Sequence, residues 1–356
     1  MTVLRTVSKL RAMSLIGNLV GKLQRHPKRF VFAEGGDPRI LQAARQIVTR
    51  RMGVPVLLGE RTMIKSIARR FDLALDGMRI IEPEQSEELE GFAESYQRLR
   101  AARGVHIELA AVRALMSQGS FFASMMLAHG QVDALVSGAT ASASSALRPL
   151  FQIIPRQEGV ATASSIMVID MEARNVGTDG VLFMADCGVL PEPNATQLAD
   201  IALTTATLAG HLTNTLPRVA MLSFSTNQSS NHPSLDRVRE ATRLAREKAA
   251  KLALPMAIEG EIQVDAALDA ATAQTKAVAG EVAGRANVLV FPDLNSGNIG
   301  SKLVQILAGA NAYGQIITGL SKPAAEISRG ASAHDILGAA AIVGCQAIDR
   351  RLLFGS

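Results

Sequence analysis

Cysteine is nearly missing from this chain: Cys187 and Cys345 are the only two in 356 residues, each inside an apolar run. That excludes a disulfide framework, and their separation excludes a cysteine metal site; a reducing, cytoplasmic compartment is the expectation. Tryptophan is absent and there are two tyrosines, so the aromatic platforms that stack on bases are missing and no nucleic-acid partner is expected. No apolar run reaches the roughly 20 residues that span a bilayer, so no membrane partner is expected either. The two common nucleotide fingerprints, Gly-x-x-x-x-Gly-Lys-Ser/Thr and Gly-x-Gly-x-x-Gly after a strand, do not occur. Six histidines are scattered without metal-binding spacing, and no serine occupies a Gly-x-Ser-x-Gly elbow. Metalloenzyme and serine-esterase chemistry thus lack positive support.

What is present suits a globular enzyme. Hydrophobic residues make up 48% and charged residues 19%, enough to bury the core of one large or two medium domains. The formal charge of +5 is spread along the chain rather than gathered in a block, which favours anionic small molecules. The first acid is Glu34, after seven basic residues from Arg5 to Arg29. This acid-poor start has the look of a transit peptide and equally of a surface helix over Ser14 to Gln24; the helix is the expectation, with Met13 a possible true start.

Apolar β-rich runs recur along the chain. The expected strands are Arg29–Ala33, Val54–Leu58, Met78–Ile81, Ala134–Ser137, Ser165–Ile169, Val181–Ala185, Val219–Phe224, Ala257–Gly260, Val288–Phe291 and Gln315–Thr318. Amphipathic helices such as Asn194–Ala209 and Pro233–Leu252 lie between them. Near-continuous apolar strands alternating with helices predict an α/β fold on a parallel sheet covered on both faces. Asp37-Pro38-Arg39 and Asn194 with Gln197 supply helix-start signals.

Ligands of open parallel sheets collect at the loops after the strands. Here those loops are small, polar and glycine-bearing: Ser137 to Ser142, Ser223 to Asn227, Asn295 to Ser301 and Ser321 to Gly330. Ser142, Asn298 and Gly300 are candidates for holding substrate, because backbone N–H groups and helix N-termini suit an anion such as phosphate; an ordinary strand-to-helix turn explains Asn298 to Ser301 equally well. The Arg329 guanidinium beside Gly330 has the geometry to fork onto phosphate or carboxylate. Asp335 has a capping-box spacing from Ser332, so spacing alone favours a structural role for it. Arg100 and Arg148 are uninformative by themselves.

Taken together, several segments resemble the phosphate acetyltransferase and phosphate butyryltransferase family from about Ser14 to Ile348. They are Phe32 to Arg39, Ala146 to Ile154, Met184 to Pro193, Pro217 to Thr226, Phe291 to Gly300, Gly319 to Pro323 and Ser328-Arg329-Gly330. The resemblance implies reversible transfer of an acetyl group between coenzyme A and inorganic phosphate in a ternary complex. Acetyl-CoA and coenzyme A are then substrates, with no bound cofactor and no metal, and a homodimer is the usual assembly. It also implies a two-domain, isocitrate/isopropylmalate dehydrogenase-like α/β fold with an interdomain active-site cleft. Residues 1–162 plus 318–356 would form the first, discontinuous domain and residues 163–317 an inserted second one. By motif position, Ser328, Arg329 and Asp335 become the catalytic group, and Arg100 and Arg148 the phosphate-binding arginines.

That assignment is physically coherent. A thiol ionises about four to five pH units above an ordinary carboxylic acid, so a solvated carboxylate is a poor base for it. Cleft closure that desolvates the base, and a guanidinium beside the thiolate, narrow the gap from both sides. Ser328 or nearby backbone N–H groups would serve the oxyanion. The chain departs from the family at Thr140-Ala141-Ser142, where His then Ser or Thr is usual, and at Gln315, Ser301 and Ala331. It departs again at Ala324-Ala325-Glu326, where Asn and Asp are usual. These changes bear on acyl-chain preference, and each added methylene is worth only about 0.8 kcal/mol, so propionyl and butyryl remain alternatives to acetyl. A weakly catalytic scaffold subunit is a further alternative; a decarboxylating dehydrogenase lacks its aspartate cluster and nicotinamide site.

Overall fold

The computed structural model describes residues 14–171 and 175–348, so the extension up to Met13 lies outside the described residues. The strands are β1 (Lys28–Phe32), β2 (Gly53–Leu58), β3 (Arg79–Ile81), β4 (Ala134–Ser137), β5 (Ser164–Asp170), β6 (Val181–Ala185), β7 (Arg218–Leu222), β8 (Ala257–Ile262), β9 (Val288–Val290), β10 (Asn311–Thr318) and β11 (Ala324–Glu326). The helices are α1 (Leu15–Arg25), α2 (Pro38–Thr49), α3 (Arg61–Arg70), α4 (Glu88–Ala101), α5 (Leu109–Met116), α6 (Gly119–Ala128), α7 (Ala143–Ile153), α8 (Ala195–Thr213), α9 (Pro233–Lys251), α10 (Val264–Leu268), α11 (Ala270–Thr275), α12 (Leu294–Leu307) and α13 (Ala333–Gln346).

All ten expected strands are present within a few residues. The capping signals work as read. Asp37 accepts from the Arg39 amide with Pro38 in the first turn of α2, and Asn194 forms a capping box with Gln197. The helix over Ser14 to Gln24 exists, with Leu15, Ile16, Leu19, Val20 and Leu23 buried along one side. The eleventh strand, β11, is where a loop was expected. Ala324-Ala325-Glu326 has no β-branched residue; it becomes a strand because β4 and β10 pair it from both sides.

The eleven strands form one sheet in the order β3-β2-β1-β4-β11-β10-β5-β6-β9-β7-β8. It is mostly parallel, but β10 is antiparallel to both β11 and β5, and β5 is antiparallel to β6. The expected parallel sheet is thus present, with these three antiparallel pairings added to it. Only residues 319–323 join β10 to β11 and 171–180 join β5 to β6, and a parallel crossover needs a dozen residues or more.

Side chains that alternate along each strand fall into different cores. Phe30, Phe32, Val136, Ile166, Val168 and Ile316 belong to one cluster that runs beneath the whole sheet and is covered by α1, α2, α8, α9 and α13. On the opposite face there are two clusters. Val31, Leu135, Ile317 and Ala324 pack under α4 to α7, whereas Met167, Ile169, Met184 and Ala312 pack with the α10 and α11 region. The gap between them falls across β10, between Ile317 and Ala312. Helix α7 contacts β11 on one side of the gap, and α12 contacts β5 and β6 on the other. A core continuous on one face and divided on the other creates a cleft.

Candidate active site

Three strand ends bring the first group together. Strands β1, β4 and β11 are neighbours running in parallel, so the residues after them, Glu34, Ser137 to Ser142 and Ile327 to Gly330, meet at one edge. The Ile327 amide donates to the Ser137 carbonyl (2.8 Å). Ser328, Arg329 and Gly330 are exposed; the Ser328 hydroxyl accepts from the Gly330 amide (3.3 Å).

Arg39 holds these loops. Its guanidinium donates to both carboxylate oxygens of Asp37 (3.0 and 2.7 Å), to the carbonyls of Arg329 (2.6 Å) and Ala331 (2.9 Å), and to that of Ala139 (2.8 Å). All five of its donors are used, which a lysine could not reproduce. Burial acts to raise the Asp37 pKa, yet the Arg39 hydrogen bonds hold its carboxyl below the usual range.

Asp335 is half-buried at the start of α13 and does form the capping box. Its Oδ2 accepts from the Ser332 amide (2.9 Å) and hydroxyl (2.8 Å), while its own amide donates to the Ser332 hydroxyl (3.1 Å). All of these carboxylate bonds fall on Oδ2, and Oδ1 takes no part in them.

The arginines converge elsewhere along the cleft. Burial pushes the Tyr96 phenol above its usual pKa, and the charges of Arg100, Arg148 and Arg103 act against that rise; the Arg100 guanidinium carbon lies 6.0 Å from the ring centroid. The Tyr96 hydroxyl donates to Gln152 (2.6 Å), and Arg103 donates to the Gln152 carbonyl (2.8 Å). Nε of Arg100 is buried without a partner, and Arg148 is exposed on α7.

The candidates after β9 are placed differently from expectation. Asn298 and Gly300 lie inside α12, whose N-cap is Asp293 accepting from the Ser296 amide (2.9 Å). Their amides are therefore past the helix terminus, within α12 rather than in a loop or a strand-to-helix turn. The glycines serve packing: a Cβ at Gly297 would meet the Asp186 carbonyl at 2.1 Å and one at Gly300 the Phe291 ring at 3.2 Å. The Asn298 side-chain Nδ2 donates to the Cys187 carbonyl (2.9 Å). Burial pushes the Cys187 thiol up to about 12, so it stays protonated. Ser142 caps α7, accepting from the Ser145 amide (3.3 Å).

Two buried carboxyls beside the Ser328 loop escaped the sequence reading. Oε1 of Glu34 accepts from the Gly138 amide (2.8 Å) and the Ser137 hydroxyl (3.2 Å), and its Oε2 is buried without a partner. Oε1 of Glu326 lies 3.1 Å from where a Cβ on Gly138 would sit. Burial, reinforced by the charge of Glu34 and opposed by Lys302, pushes the Glu326 carboxyl up to about 7. Burial also raises Glu34. Like charges in one low-dielectric site resist joint ionisation. Glu326 stood out in the sequence only as a departure from the Asn-Asp pattern. Arg39 stood out only beside a helix cap, and Arg103 carried no signal.

An α/β chain with a divided core, small polar loops meeting at neighbouring strand ends, and a buried Arg100 nitrogen without a partner defines a class: an enzyme for small anionic substrates. Residues 14–344 match the family model described as phosphate acetyl/butaryl transferase, and the chain belongs to that family. It is 41% identical over 335 residues, 94% of this chain and 100% of the relative, to a phosphate acetyltransferase of Thermoanaerobacterium thermosaccharolyticum. Among solved structures, a phosphotransacetylase from Streptococcus pyogenes is 35% identical with a TM-score of 0.84, covering 94% of this chain and 98% of that one. A putative 4-hydroxythreonine-4-phosphate dehydrogenase from Salmonella typhimurium shares the fold alone, at 11% identity and a TM-score of 0.52 over 90% of this chain and 99% of that one.

Proposed function

We propose that this enzyme transfers an acetyl group reversibly between coenzyme A and inorganic phosphate, as the names of its relatives describe for them. The observation that carries the site assignment is the buried Nε of Arg100, left without a partner beside the Tyr96 ring. A phosphate dianion supplies the missing acceptors. In the direction of acetyl-CoA formation, the thiol proton passes to Oδ1 of Asp335 and the thiolate, beside Arg329, adds to the acetyl carbon. The oxyanion is stabilised by Ser328 or adjacent amides, at about 3 to 4 kcal/mol per donor. The carbon–oxygen bond to phosphate then breaks, and phosphate leaves onto Arg100 and Arg148. Asp335 acts while its Oδ2 caps α13, which fixes the orientation of Oδ1.

The two-domain division at 162/163 and 317/318 agrees with a sheet in which strands β1 to β4 and β11 stay on one side of strands β5 to β10. No described helix is long and apolar enough to cross a membrane, and both cysteines are free and buried, in keeping with a cytoplasmic enzyme. A homodimer is favoured by the exposed apolar residues of α12. The test is phosphate-dependent thiol release from acetyl-, propionyl- and butyryl-coenzyme A with chelator present. Acetyl-coenzyme A is expected to turn over fastest; a faster longer chain would reassign the acyl group, and no turnover with any of them would leave the scaffold alternative.

A further inference from the structure

At the edge of the sheet opposite the Ser328 loop, the end of β10 helps line a cavity of about 380 Å³, within the size range of small-molecule sites. Its wall is apolar, with Leu203 and Leu208 of α8, Leu252 and Leu254 after α9, and Ile317 and Leu320 at the end of β10. None of its lining residues belongs to the candidate active site. Gln346, the last residue of α13, also lines it; this side chain is 5% exposed, and its Oε1 has no partner. A buried acceptor left without a donor is costly, and a rotation of this side chain toward the cavity would let a ligand donor satisfy it. Of the charged groups at the cavity, Lys248 pairs with Asp200 (2.8 Å), whose other oxygen accepts from Thr162 (3.0 Å), and Glu158 is exposed to solvent. Water screens the Glu158 charge, so a net charge on a buried ligand would gain little there.

The place matters as much as the chemistry. Residues 317–320, in the wall, span one passage between the proposed domains, and residues 157–160, also in the wall, end just before the other at 162/163. Gln346 ends the same 14-residue helix whose first turn holds Asp335. We propose that this cavity is an effector site for a neutral, largely apolar molecule bearing one hydrogen-bond donor, and that its occupation changes the opening of the cleft. The coupling half of this inference rests on the two-domain acyltransferase reading. A ligand shifts such an equilibrium only through different affinities for the two states, and a cavity built on one crossing and next to the other changes width as the domains move. By reciprocity, its ligand and the cleft ligand alter each other's affinity by the same factor.

Calorimetric titration of the full chain with 4-propylphenol and with its methyl ether, 4-propylanisole, tests this. One saturable phenol site per chain is expected, with the ether at least tenfold weaker, and saturating phenol is expected to shift the Kd of coenzyme A at least twofold. Gln346→Leu should abolish the preference for phenol over ether. If that variant does not fold, Thr207→Phe, which fills the cavity from α8, should remove phenol binding. Equal binding of phenol and ether, phenol binding retained in Thr207→Phe, or an unchanged Kd of coenzyme A would overturn the proposal. Phenol binding is read without turnover, so a chain that binds phenol selectively yet neither binds coenzyme A nor transfers acetyl would refute the acyltransferase reading and leave the cavity's ligand class standing.

Discussion

Asp335 combines two demands in one carboxylate, a cap through Oδ2 and a base through Oδ1. Asparagine retains the acceptor that caps the helix and loses the proton affinity, so Asp335→Asn is expected to lower turnover about 10² to 10⁴-fold while the melting temperature barely changes. Near-normal turnover in the folded variant would leave the cap as its only role. Arg148→Ala should raise the KM for phosphate about tenfold, since a charge-assisted hydrogen bond is worth about 1.5–3 kcal/mol; an equal rise for coenzyme A would indicate a general defect instead. Glu326 makes a third test. Its folded pKa, about 7, lies above the ordinary 4.5, so between those values the native state holds the proton that the unfolded state has released. Stability contributed by the protonated form is therefore present in full below about pH 4.5 and lost as pH rises through 7, by roughly 3 kcal/mol at most. Denaturant titrations of Glu326→Gln across that window should show a flatter pH dependence than the native chain, and an unchanged slope would mean that Glu326 titrates normally.

At the scale of elements, the legible parts were those whose signal is local. Asp37-Pro38 and Asn194 with Gln197 announced helix starts because a cap is satisfied within three residues, and apolar runs announced strands because both faces of this sheet are covered. The reversal of β10 and β5 and the conversion of Ala324–Glu326 into a strand come from pairing partners far away in the chain. Helix α13 shows how tightly such long-range packing is set. A Cβ on Gly338 would lie 2.1 Å from the buried ring of Tyr313 on β10. Alanine is the better helix former by about 1 kcal/mol, yet Gly338→Ala is expected to destabilise the fold by about 1–3 kcal/mol through overpacking. Chemical denaturation measures this, and a stabilised variant would show that the ring yields.

For the whole molecule, one exposed surface on α12 is apolar. Ile299, Leu303, Ile306 and Leu307 are 57%, 51%, 75% and 80% exposed and, at spacings of four, three and one, share a face of α12. An apolar stripe of this kind is more than a soluble monomer usually leaves in water, and a two-fold axis would pair it with itself. Sedimentation velocity should therefore find a dimer for the native chain and a monomer when Ile306→Asp and Leu307→Asp are combined. Identical sedimentation of the two would place any interface elsewhere.

The sequence by itself determined the α/β class, ten of the strands, the principal helix caps and, through ordered motifs, the family. Each of these rests on residues adjacent in the chain or on the order in which motifs occur. Only the tertiary structure decided that Asn298 and Gly300 lie within a helix and that Arg39 ties the Ala139 and Arg329 loops together. It alone revealed that Glu34 and Glu326 share one buried site and that a cavity closes over Gln346. Those features depend on strands distant in sequence becoming neighbours, and burial changes the charge state and partners of a side chain in ways its identity does not encode.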